Sequence, residues 1–233
     1  LLGQRLPAGV RVHAFLIDDG SSDDSASWCR EVAAAWTWAW AGVGAGAAVG
    51  SPTSPVDVSV EVLPENRGRA AARNRGVERA LEAGCSELTF LDQDDILPCD
   101  SLARRLAWLN GSTAPIAHGR QSFFVVPGIE RPRWCRPEWL AAPQVGNVLG
   151  AMLMRAHVWN TIGPFDPELR HGSDDADWFM RLRRLQIDAD HHDPVVLIRR
   201  VHDRNGSADP RARRELSAIV RRHLAGRARG GSP

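Results

Sequence analysis

The chain contains no lysine and no tyrosine, and all 29 of its basic residues are arginine. Both gaps read as genomic base composition and carry no functional message. Cysteine is scarce: Cys29, Cys85, Cys99 and Cys135 are scattered, with no Cys-x-x-Cys pair. That spacing argues against a zinc site and against a disulfide framework, and makes reduced thiols in a cytosol-like compartment the expectation. No excess of either charge exists, the net value being +1, which argues against a nucleic-acid-coating protein. No signal-peptide pattern opens the chain. Only one stretch, residues 32–56, is long and uncharged enough to raise the question of a membrane span. Its Ala and Gly supply little hydrophobic drive, and Ser51-Pro52-Thr53-Ser54-Pro55 closes it like a loop. A low-complexity insertion over about residues 36–55 is the better reading. Its Trp36, Trp38 and Trp40 would either touch a membrane interface or a partner, or fold back on their own domain.

What remains is an ordinary globular composition, 43% apolar and 24% charged over 233 residues, enough for one sizeable domain. Within it, Phe90-Leu91-Asp92-Gln93-Asp94-Asp95 runs an apolar strand into three carboxylates. Like charges this close repel, and they call for a cation or strong donors nearby. Hard oxygen ligands select Mg²⁺ or Mn²⁺, and such a metal at a strand end is the usual partner of a diphosphate. The bland alternative is an acidic loop.

Periodicity places strands at Val10 to Ile17, Val56 to Val62, Leu88 to Leu91, Gln121 to Val126, Ala151 to Met154 and Val195 to Val201. Helices are expected from Ser22 to about Ala35, from Gly68 to about Ala83, and over Ser101 to Leu109, Ala156 to Ile162 and Asp174 to Leu185, the last capped by Ser173. Strands alternating with helices give an α/β fold with ligands at the carboxyl ends of a sheet. Asp209 to Arg229 reads as a basic amphipathic tail with Leu216, Ile219, Val220, His223 and Leu224 in one stripe. Docking on the domain is favoured over holding the protein near anionic lipid.

Four motifs stand in order: Ile17-Asp18-Asp19-Gly20-Ser21-Ser22-Asp23; Glu65-Asn66-Arg67-Gly68 through Arg73-Asn74-Arg75-Gly76; Leu91-Asp92-Gln93-Asp94-Asp95; and Gly163-Pro164-Phe165-Asp166-Pro167 leading to Asp174-Asp175-Ala176-Asp177-Trp178. Together they resemble the family 2 glycosyltransferases over about residues 1–207, with 208–233 as tail. The resemblance implies the GT-A fold, a Rossmann-like nucleotide-diphospho-sugar transferase with a mixed central sheet and flanking helices. It implies a metal-dependent, inverting hexosyl transfer from a nucleoside-diphosphate sugar, UDP or GDP, to the hydroxyl of a saccharide or lipid-linked acceptor. Cell-envelope polysaccharide or glycolipid assembly is the implied setting, in the cytoplasm or peripherally at the inner face of the membrane, and nucleic acid is not an implied partner.

Residue by residue, the resemblance puts Asp18, Asp19, Asn66, Gly68, Arg73 and Asp92 at the nucleotide. Asp94, with help from Asp92 and His202, would hold Mn²⁺ or Mg²⁺, and Asp175, ahead of Asp174, would be the general base. Each has a plainer alternative: an Asx-turn for Asp18 or Asp19, dipole compensation for Asp174 and Asp175, and a structural role for His202. Arg69 and Arg75 are expected on a solvated helix face, and Trp178, Phe179, Leu182 and Leu185 in the core. Residues 127–150, with Trp134 and Trp139, would shape the acceptor side.

The chain departs from the family in lacking its first strand and helix, so an N-terminally truncated fold of low stability or weak activity is expected. A non-catalytic sugar-nucleotide-binding or degenerate relative is the alternative. A phosphatase with Asp92 as nucleophile fits poorly, because Ile96-Leu97-Pro98 supplies no hydroxyl.

Overall fold

The computed structural model describes residues 3–41, 56–202 and 210–230; the remainder of the proposed insertion, 42–55, lies outside the described residues. The elements are, in order, β1 (Val12–Asp18), α1 (Ser25–Ala41), β2 (Val56–Val62), α2 (Arg69–Glu82), β3 (Glu87–Leu88), α3 (Ser101–Asn110), β4 (Ile116–Val125), α4 (Pro137–Ala141), β5 (Met152–Arg155), α5 (Ala156–Ile162), α6 (Asp174–Arg184), β6 (Asp190–Val201) and α7 (Pro210–Gly230).

Alternating Val residues make β2, and it pairs in parallel with β1, Val12 opposite Val56 and Asp18 opposite Val62. The second sheet has the order β3-β5-β4-β6. There β5 is antiparallel to both β3 and β4, while β4 and β6 are parallel. Strands β3, β4 and β6 therefore point the same way, and their carboxyl ends lead to Asp92, Val125 and His202. Among the described residues, β1 makes ladder bonds only to β2, and β3 only to β5.

The two sheets meet through side chains. Ala14 and Val56 pack with Leu97, Leu102, Val196 and Leu197. On the other side Phe15 leans on the larger cluster of Val77, Leu88, Met152, Met154, Trp159, Phe165, Trp178 and Phe179. Arg105 sits fully buried beneath this frame. It donates to the carbonyls of Gly150 and Met152 and to Thr89 Oγ1, and burial lowers its pKa to about 10.

Several expectations change. Helix α1 continues past Ala35 to Ala41. Of the expected third strand, Leu88 to Leu91, only Leu88 pairs, in a two-residue strand Glu87–Leu88, because the chain beyond Leu88 diverges toward the acidic loop. Strand β4 begins five residues earlier than expected, at Ile116, and β6 begins at Asp190. Their polar starts, His118 and His191, are paired neighbours. Leu185 lies at the end of α6 and is 44% exposed, outside the core that holds Trp178, Phe179 and Leu182. Ser173 occupies the N-cap position of α6 without a capping bond; its hydroxyl donates to the Ala212 carbonyl of α7. No helix among the described residues is long and apolar enough to cross a membrane.

Candidate active site

Asp18 ends β1 and Asp19 follows it. Asp18 Oδ1 accepts from the Ser21 amide at 2.8 Å. Both oxygens of Asp19 are taken by backbone amides, Oδ1 by Arg67 at 3.0 Å and Oδ2 by Gly68 at 2.8 Å. The carboxylate therefore sits at the start of α2, where the helix dipole favours an anion. Gly20 makes this closure possible: its φ is +65°, and a Cβ there would come within 2.6 Å of the Glu65 carbonyl carbon. Asp18, Asp19, Asn66 and Gly68 thus belong to one corner at the carboxyl ends of β1 and β2, with Asn66 exposed. In this state Asp19 braces that corner.

A second cluster centres on Arg73, one turn into α2. Its Nη2 donates to Asp92 Oδ1 at 2.6 Å and its Nη1 to Asp174 Oδ2 at 2.8 Å. Arg69 donates to the other oxygen of Asp174 at 2.9 Å. Asp174 is wholly buried and held by two guanidinium groups. Burial works to raise the Asp92 pKa, but Arg73 and Arg69 outweigh it, and the carboxyl is held below its ordinary value. Asp175, one residue on, forms no ion pair among the described residues. Burial, and then the adjacent Asp174, push its pKa up, with Arg69 and Arg73 opposing less strongly.

Asn74 ties this cluster to the Gly163-Pro164-Phe165 turn. Its Nδ2 donates to the Phe165 carbonyl and its Oδ1 accepts from the Phe165 amide, both at 2.9 Å. Motifs far apart in sequence are therefore joined through α2.

The third cluster is Asp94 with His202, Nε2 to Oδ2 at 2.8 Å, across from the end of β6. Beside it, Arg199 approaches Asp95 at 3.5 Å. Burial raises the Asp95 pKa to about 6, Arg199 opposes this, and Asp92 and Asp94 add to it. Among the described residues no group of three His, Cys, Asp or Glu side chains converges tightly enough to hold an ion alone. A carboxylate and an imidazole side by side do fit a divalent cation that takes its remaining ligands from substrate phosphates and water.

Two parts of the site are not legible in the sequence. Arg69, expected on a solvated helix face, faces the buried Asp174. Arg75 does lie at the surface of α2, where it pairs with Glu61 and Glu78. The place of Arg199, opposite Phe123 in the β4–β6 register, depends on a strand pairing that no local pattern reveals.

Matches to known proteins bear on the family and the fold. The model of the family described as "Glycosyl transferase family 2" matches residues 4–146, more than half of the chain. The chain belongs to that family. A relative from Haemophilus influenzae, described as an uncharacterized glycosyltransferase, is 28% identical over 117 residues, covering 50% of this chain and 38% of its own. Among solved structures, S. aureus TarS 1-349 in complex with UDP-GlcNAc superposes with a TM-score of 0.65 at 16% identity, over 96% of this chain and 59% of that one. GalNAc-T7 with UDP, GalNAc and Mn²⁺ gives 0.54 at 13% identity, over 89% of this chain and 41% of that one. At such identities the likeness establishes the fold, which is GT-A. This family 2 chain spans well under two thirds of the length of these relatives.

Proposed function

We propose that the protein is a metal-dependent, inverting glycosyltransferase that moves a sugar from a nucleoside diphosphate to an acceptor hydroxyl. The observation that carries this is the contrast within Asp174-Asp175. One carboxylate is neutralised by Arg69 and Arg73. The other forms no ion pair among the described residues, and burial and the adjacent Asp174 raise its pKa against the weaker pull of Arg69 and Arg73. A base poised above the ordinary carboxylate range suits proton removal from a hydroxyl.

Asp175 takes the acceptor's proton as the acceptor oxygen forms its bond to the anomeric carbon. The bond from that carbon to the diphosphate oxygen breaks on the opposite side, which inverts the centre. Arg73 lies between Asp92 and Asp174, so it links the donor half of the site to the base. Asp94 and His202 would hold Mn²⁺ or Mg²⁺, with Asp92 assisting; the cation would supply stabilisation of charge on the departing diphosphate. Asp18, Asn66 and Gly68 would line the nucleotide, and Asp19 would act there by bracing Arg67 and Gly68.

On the acceptor side, Arg199 lies over the ring of Phe123, Phe123 stacks on Trp139 at 5.5 Å, and Trp134 sits against Trp139. This aromatic run starts beside Asp95 and suits a sugar ring. We take the acceptor to be a saccharide or lipid-linked one, in envelope polysaccharide or glycolipid assembly, in the cytoplasm or peripherally at the inner face of a membrane; the ring surface of Phe123, Trp139 and Trp134 supports the saccharide reading.

Calorimetric titration of UDP, GDP and their sugars, with and without Mn²⁺, tests the donor half. One nucleotide should bind only with Mn²⁺, and Asp94→Ala should abolish that binding. Asp175→Asn should bind donor normally and lose transfer. An Asp94→Ala variant that binds normally would sink the metal assignment. Donor binding by the unaltered chain without transfer to any acceptor, and without donor hydrolysis, would favour a sugar-nucleotide-binding module instead.

A further inference from the structure

Helix α7 carries two apolar lines, and only one is covered. Ala212 and Ile219 are buried, 9% and 1% exposed. The docked side is pinned to α6 through Asp177, which accepts from Arg222 at 2.6 Å and contacts His223 Nε2 at 3.0 Å. The second line is Leu216, Val220 and Leu224, 40%, 36% and 58% exposed. Four-residue spacing stacks these three along one face. The stripe expected from the sequence is therefore docked along Ile219 and His223 and open along its other border, Leu216, Val220 and Leu224.

Charge decides what covers the open line. The helix sequence contains seven arginines and one acid, Glu215. Glu215 is turned inward, where its carboxylate accepts from the His171 amide. Arg222 is engaged with Asp166 and Asp177. Arg214 and Arg221 are exposed on the flank of the open line, and no carboxylate is paired with them among the described residues. A narrow aliphatic line bordered by arginine matches a surface that is anionic outside and apolar just beneath. A second copy of the chain would bring the same arginines face to face, which like charge opposes.

We propose that this face of α7 is a docking surface for an anionic lipid bilayer. Leu216, Val220 and Leu224 enter the boundary between headgroups and acyl chains, and Arg214 and Arg221 meet lipid phosphates. The proposal goes beyond the transfer reading and stands on the helix alone, so a failure of donor binding leaves it intact.

Vesicle co-sedimentation of the full chain provides the test. Phosphatidylcholine vesicles containing phosphatidylglycerol should carry the protein down, and vesicles of phosphatidylcholine alone should not. The triple variant Leu216→Ser, Val220→Ser, Leu224→Ser and the double variant Arg214→Glu, Arg221→Glu should each partition about tenfold less. Added salt should weaken binding of the unaltered chain. All five positions are solvent-facing, so melting temperature should stay constant and separate lost docking from lost folding. Absence of binding to the anionic vesicles, equal binding by the variants, or a dimer in solution that the triple variant makes monomeric would each overturn the proposal.

Discussion

Asp174 and Asp175 are neighbours in sequence and unlike in surroundings. Asp174 has two guanidinium partners. Asp175 accepts from the Ala176 amide at 2.7 Å and forms no ion pair among the described residues. Its pKa is raised, so the sign of two pH effects follows. Transfer should fall as acid protonates Asp175, at a pH above the ordinary Asp value of 3.8, with donor binding unchanged over that limb; a profile of kcat/KM against pH checks this. For stability, a raised folded pKa means the fold prefers the neutral carboxyl, and ionisation costs stability as pH rises from the unfolded value through the folded one. Asp175→Asn should therefore melt at pH 7 no lower than the unaltered protein. The sequence names both aspartates as candidates, but the order between them there rests on motif register alone. What separates them, Arg69 and Arg73 reaching from α2, is a tertiary fact.

Helices α6 and α7 are joined through a buried carboxylate as well as through Ser173. Asp177 is 2% exposed and serves Arg181 at 2.9 Å, Arg222 at 2.6 Å and His223 at 3.0 Å. Asp177→Ala would leave Arg181 with carbonyl partners only, at Ile162, Gly163 and Pro164, and would release the docked side of α7. We expect a loss of about 2 kcal/mol in denaturant unfolding, since removing the carboxylate takes the counter-charge from Arg181. Arg222→Ala should cost less, because its side chain is 55% exposed and water replaces the lost partner. At this scale the sequence is informative where an element is governed by its own pattern. Val56–Val62 and Ala156–Ile162 appear where expected. It fails at Leu88 to Leu91, where an apolar run implies a strand and only Leu88 pairs. It also fails at Ser173, whose hydroxyl finds α7 in place of its own helix.

Across the whole molecule, the order of the four motifs makes the GT-A frame legible, because each marks the end of a strand or the start of a helix. The division into two sheets is not legible, since it depends on which edges pair. Strands β4 and β6 share a long ladder, from Ala117 opposite Asp190 to Val125 opposite Val201. Strands β1 and β2 form a two-stranded sheet of their own, held to the rest mainly by side chains such as Ala14 and Phe15. Amides of β1 and β2 should exchange hydrogen faster than those of Gln121 to Val125, by an order of magnitude or more. Equal protection throughout would show that both sheets open as one unit.

That side-chain contact between the sheets has a mechanical meaning. A hydrogen-bonded ladder resists sliding, because every bond must break together, whereas packed aliphatic groups shear past one another at small cost. The half bearing Asp18 and Asp19 is thus the compliant one, and the half bearing Asp92, Asp94 and His202 is stiff. Helix α2, which bonds to Asp19 at one end and spans to Asp92 and Asp174 through Arg73, is the strut by which any give in the first is transmitted to the second.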